Sequence, residues 1–109
     1  MEPRRTCKVS FANEKIAEQF NALRIGKGEE RLIHKWICKA LLELEHDPWC
    51  GIRIPRRIIP EFYDVKDIWK YDLPKNWRLI YTIEANQVEV LAIVLEWFDH
   101  AAYAKRFKY

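Results

Sequence analysis

Apolar and polar positions alternate with period two across Cys7-Lys8-Val9-Ser10-Phe11, which predicts a short edge strand. The period then lengthens. Ile16, Ala17, Phe20 and Leu23 recur at helical spacing, Asn13 stands where an N-cap belongs, and Ile25-Gly26-Lys27-Gly28 supplies a stop that tolerates a left-handed cap. A second helix is drawn more strongly: Leu32, Ile33, Trp36, Ile37, Ala40, Leu41 and Leu44 make one broad apolar stripe. Glu29 and Glu30 occupy its first turn, where acid complements the helix dipole, and the helix ends before Asp47-Pro48. Two helices joined by a short Gly-containing link read as an antiparallel hairpin.

Past Pro48 the period returns to two. Gly51-Ile52-Arg53-Ile54 predicts a short strand halted by Pro55, and Pro60 keeps the next stretch irregular. Trp69, Tyr71 and Leu73 alternate with Lys70 and Asp72, a turn follows at Leu73-Pro74-Lys75-Asn76, and Trp77, Leu79, Tyr81 and Ile83 alternate with Arg78, Ile80 and Thr82. After a turn at Glu84–Gln87, the run Val90-Leu91-Ala92-Ile93-Val94-Leu95 is apolar on both parities, as in a central strand covered on both faces. Asp99 can cap a short last helix, His100 to Phe107, that packs Tyr103 and Phe107. The predicted class is α+β: an N-terminal strand and an antiparallel helical hairpin packed on a twisted, mainly antiparallel four-stranded sheet, with a short C-terminal helix. All 109 residues fit one domain.

Composition narrows the class. Half the residues are apolar and 14% are aromatic, enough for one packed core, while three Gly and five Pro leave no low-complexity segment. No apolar run approaches the ~18 residues of a membrane helix, and residues 1–5 lack the apolar centre of a signal peptide, so a cytoplasmic protein is expected. Cys7, Cys38 and Cys50 form an odd set without a CxxC pair and read as reduced, buried thiols. Net charge is +3, and the excess lies in the middle: residues 51–83 carry seven Lys or Arg against four Asp or Glu. That segment is either a phosphate-facing patch or an ordinary solvated face.

The motifs for phosphate-loop, GxSxG and HExxH chemistry are absent, and neither metal nor cofactor is expected. The cations of the Pro74 hairpin remain. If Trp69, Tyr71, Leu73, Trp77, Leu79 and Tyr81 face the helices, alternation sends Lys70, Asp72 and Arg78 to the other face, where Lys70 and Arg78 stand close enough to share one phosphate. Either residue can equally be a solvated strand position. Trp69 and Trp77 read as core, and His34 and His46 as surface or cap residues. Ala101-Ala102-x-Ala104 is bland for a surface helix, through cover by a partner or through substitution.

Leu73-Pro74-Lys75-Asn76-Trp77-Arg78-Leu79-Ile80-Tyr81-Thr82-Ile83, a strongly apolar strand, and then Asp99-His100-Ala101-Ala102-Tyr103 resemble the RelE-like toxins of the RelE/ParE superfamily of toxin–antitoxin systems. The resemblance extends over nearly the whole chain, with residues 69–83 and 95–107 carrying its specific motifs. It implies a ribosome-dependent, metal-independent mRNA endoribonuclease using 2′-OH attack on the adjacent phosphate. By that likeness Arg78 stabilises the phosphate, His100 and Tyr103 occupy the terminal catalytic segment, and Lys70 matches the first of two strand lysines; Asp72 stands where the second would be. Arg56, Arg57, Lys66 and Lys75 are the further RNA-binding candidates. The implied partners are a cognate antitoxin and mRNA on the ribosome, with no membrane, and a homo-oligomer is compatible with the family. A ParE-like gyrase inhibitor and a non-catalytic interaction protein are the alternatives on the same fold.

Overall fold

In the computed structural model, which describes residues 6–107, the first alternating segment forms strand β1 (Thr6–Phe11) and the two helical stripes form α1 (Glu14–Arg24) and α2 (Glu29–His46). Residues 1–5, read above as too polar for a signal peptide, lie outside the described part. Asn13 caps α1 as its side chain predicts, with the Ile16 amide donating to Oδ1 at 3.0 Å. The link to α2 passes through Gly28 at φ +57°, a left-handed value that glycine adopts without a Cβ penalty. Asp47 closes α2 and also caps the short turn at Pro48–Cys50 through Trp49 N at 3.0 Å.

The remaining strands are β2 (Ile52–Arg53), β3 (Trp69–Asp72), β4 (Arg78–Ala85) and β5 (Glu89–Phe98), followed by helix α3 (His100–Phe107). They form one sheet ordered β1-β5-β4-β3-β2. The expected α+β class holds, with five strands instead of four, because the two-residue β2 joins the edge of β3. The meander β2–β5 is antiparallel. β1 instead runs parallel to β5, Thr6 opposite Glu89 through Phe11 opposite Val94, so β5 becomes an interior strand as its two-sided apolarity requires.

Two apolar layers sandwich this sheet. On one face Ile33, Ile37, Ala40 and Leu44 of α2 pack on Leu73, Leu79, Tyr81, Ala92 and Val94, with α1 contributing Ile16, Phe20 and Leu23. Ile37 and Leu44 are wholly buried, each contributing about 1.5–3 kcal/mol of apolar transfer energy. Trp69 and Trp77 join this layer, as their period predicts. The other face is covered by α3 and by the irregular segment between β2 and β3: Ile54, Ile68, Ile80, Phe98, Tyr103 and Phe107 form a second cluster. The three helices are therefore divided between the faces. A bulge between Ile80 and Tyr81 adds Leu95 to β5 opposite them and reverses the strand's alternation, so that Trp97 joins the first layer and Phe98 the second cluster.

Cys7 and Cys38 are half-buried, but Cys50 is exposed, contrary to the expectation of three buried thiols. His34 stacks on Phe20 with ring centroids 4.5 Å apart, and His46 ends α2 exposed. Among the described residues no helix is long and apolar enough to cross a membrane.

Candidate functional site

The β3–β4 hairpin sorts its side chains as the alternation demands. Leu73, Trp77, Leu79 and Tyr81 point into the α1–α2 layer, while Lys70 and Arg78 reach the α3 face. The turn between them closes with Lys75 and Asn76 in left-handed backbone, at φ 56° and 64°, and the Leu73 amide donates to Trp77 O at 2.8 Å. Asp72 stands directly opposite Arg78, and Arg78 in turn opposite Phe98, the last residue of β5. Two residues further on, His100 begins α3.

That helix carries Tyr103 beneath both cations. Lys70 Nζ lies 5.4 Å and Arg78 Cζ 5.5 Å from the centre of the Tyr103 ring, within cation–π range. The ring is 3% exposed and also packs on Phe98 and Phe107. Contact with it leaves only 16% of the Lys70 side chain and 13% of Arg78 open to solvent.

Asp72 changes the electrostatics. One oxygen, Oδ1, lies 3.2 Å from Lys70 Nζ and 3.0 Å from Arg78 Nε, bridging the two cations. The Arg78 contact has ion-pair distance without hydrogen-bond geometry, so its Nε–H is a buried donor lacking an acceptor; Arg78 NH1 donates to Trp77 O at 3.2 Å. Two cations and one carboxylate leave the group with a formal charge of +1. The sequence located the acid but not its bridging position.

His100 is exposed in the first turn of α3, one turn before Tyr103. Asp99, the carboxylate beside it, is spent on the helix: Oδ1 accepts from Ala102 N at 2.9 Å and the carbonyl from Tyr103 N. The site is thus the corner where the ends of β3 and β5, the start of β4 and the start of α3 meet. Arg78, Lys70 and Tyr103 are in contact there, and His100, exposed, begins the helix two residues after Phe98, the strand partner of Arg78.

The four loop and turn cations do not gather there as one group. Asp67 accepts from both Arg53 and Arg56, which holds its carboxyl below the usual range and ties Arg56 to the β2–β3 connection. Lys66 lines a cleft with Arg56, Glu61 and Asp64, so acids offset it. Arg57 lines another with Arg106 and Phe107, and Lys75 projects exposed from the hairpin turn. Arg106, absent from the sequence-based candidates, donates to Glu96 at 3.0 Å; the same carboxylate accepts from Tyr63, pinning the irregular segment to the sheet. Nothing in that segment's spacing announced this, since Glu96 and Tyr63 lie far apart in sequence and meet only through the fold. No protein-family model, curated protein or solved structure matches the chain.

Proposed function

We propose that the chain is the toxin of a toxin–antitoxin pair, a RelE-like endoribonuclease that cuts mRNA on the ribosome without a metal ion. The observation that supports this reading is the convergence of Arg78 and Lys70 over Tyr103, on the helix that the exposed His100 begins. Cleavage by this route forms a bond from the ribose O2′ to phosphorus and breaks the bond from phosphorus to O5′. The 2′ proton leaves to a base, a proton reaches O5′, and a cyclic phosphate remains. Arg78 and Lys70 would neutralise charge growing on the phosphoryl oxygens, using the open edges of their side chains. His100 supplies an exposed imidazole, a side chain that can both take and give a proton. Tyr103, nearly buried beneath the cations, acts here as a positioning residue that fixes them. The reading places the protein in the cytoplasm, where ribosomes translate, with a cognate antitoxin as its regulator.

Asp72 favours a second reading, a binding-only protein of the same fold, because a carboxylate between the cations opposes phosphate approach. Induction in cells with mapping of mRNA 5′ ends separates the two. Cuts within translated codons that vanish in Arg78→Ala, and fall by 10²–10⁴-fold in His100→Ala, support the nuclease. Growth arrest with intact mRNA, or cutting unaffected by either substitution, defeats it. His100 is exposed, so its replacement should alter stability by no more than about 0.5 kcal/mol.

A further inference from the structure

Phe62 is 64% exposed although it belongs to a turn, Glu61–Tyr63, that its neighbour Tyr63 anchors to Glu96. The ring leans on that of Tyr63, centroids 4.6 Å apart and tilted by 31°, and the rest of it stands in water on a fixed backbone, which the core does not account for. Its surroundings are cationic. The Arg106 guanidinium lies 5.0 Å from the ring centre, and Pro60, Phe62, Ala102, Lys105 and Arg106 line an open cleft of about 460 Å³ to which, among the described residues, no carboxylate contributes. Lys105 is exposed and makes no ion pair among the described residues. Arg106 cannot swing away, since Glu96 binds it and Phe98 flanks it at 5.6 Å. Acids do lie nearby: Glu61 and Asp64 face the adjoining cleft of Arg56 and Lys66. The exposed Ala102 leaves the floor of the Phe62 cleft low, where a longer side chain would fill it.

A chain of side-chain contacts links this cleft to the cation pair. Phe62 touches Arg106, Arg106 touches Phe98, Phe98 stacks on Tyr103 at 6.2 Å, and Tyr103 carries Arg78, all on the α3 face. We propose that Phe62, rimmed by Lys105 and Arg106, is a stacking platform for one unpaired base of single-stranded RNA, on the same α3 face as the phosphate site at Arg78 and Lys70. The inference rests on the RNA-directed reading above and deepens it. Aromatic stacking tolerates any base, because every base has a π-face, and the flanking cations meet the backbone on either side. It demands an unpaired strand, since duplex bases are already stacked.

The test is fluorescence anisotropy of the full-length protein with a labelled ten-nucleotide mixed-sequence RNA, single-stranded and as a duplex. Phe62→Ala and Phe62→Leu should each bind the single strand about 5- to 150-fold more weakly, Phe62→Trp should bind as tightly as the parent, and duplex binding should not change. Leucine retaining full affinity would mean apolar contact without stacking and would overturn the proposal. So would an unchanged Kd for Phe62→Ala, or a parent protein that binds no single-stranded RNA. Cleavage of translated mRNA that still requires Arg78 while Phe62→Ala binds normally would remove the platform and leave the nuclease reading standing.

Discussion

Replacing Asp72 by Asn should make this protein bind RNA more tightly. The carboxylate bridges Lys70 at 3.2 Å and Arg78 at 3.0 Å, so the exchange removes one negative charge, keeps the side-chain shape, and raises the formal charge of the group from +1 to +2. One additional neutralised phosphate steepens the fall of log K with log salt by about 0.7 for a single strand. Over the interval from 1 M to 50 mM salt that slope amounts to about 8-fold in affinity, and to about 3-fold at 200 mM. The folding cost is small. Asp72 is 49% exposed, and ion pairs of such groups contribute about 0.2–1 kcal/mol each, so the melting temperature should fall by no more than several degrees. Anisotropy titrations of Asp72→Asn and the parent at four salt concentrations measure slope and affinity together. Equal slopes would show that no phosphate meets these cations. Weaker binding with an intact fold would mean that Asp72 orients Arg78 for its ligand, and the electrostatic reasoning would be wrong in sign.

Two further outcomes follow from the packing. Gly51 lies at ordinary φ, but a Cβ there would stand 2.5 Å from the Lys70 carbonyl oxygen and against the Tyr81 hydroxyl, which accepts from Gly51 N and donates to Pro48 O. Gly51→Ala should therefore cost about 1–3 kcal/mol in urea unfolding, and an unchanged midpoint would refute the close approach. Burial pushes the hydroxyls of Tyr63, Tyr71 and Tyr81 above the usual tyrosine range; for Tyr63 and Tyr71, hydrogen bonds to Glu96 and Glu43 push in the same direction. The folded state keeps these protons where the unfolded chain has lost them, so their contribution is complete below the ordinary tyrosine range and declines as pH rises through it. Absorbance at 295 nm should show them ionising together with loss of the circular dichroism signal; smooth titration in an intact fold would contradict the burial.

Local periodicity made much of this molecule readable. The α2 stripe reappears as Ile33, Ile37, Ala40 and Leu44, the caps at Asn13 and Asp99 form the bonds their side chains suggest, and alternation places Lys70 and Arg78 on a shared face. The hidden features have in common that distant segments create them. Parallel pairing of β1 with β5 leaves no mark on either strand beyond apolarity. The irregular stretch from Pro55 to Asp67 has no period, yet it covers half of one sheet face through Ile58, Ile59, Tyr63 and Val65. Phe62 and Arg106 therefore drew no notice as a pair, and Asp72, placed by the sequence where a second lysine would stand, bridges the two cations.

Vectorial synthesis gives the β1–β5 ladder a consequence of its own. Among the described strands Thr6–Phe11 leave the ribosome first, yet their hydrogen-bonding partners, Glu89–Val94, belong to the one made last. Until then the emerging segment has an unsatisfied edge and the α1–α2 layer lacks Ala92 and Val94 beneath it. Such distant pairing delays the cooperative step. The finished sheet, and with it the corner at Arg78 and His100, can only assemble after translation has passed β5, so a stalled or truncated product would lack the assembled corner.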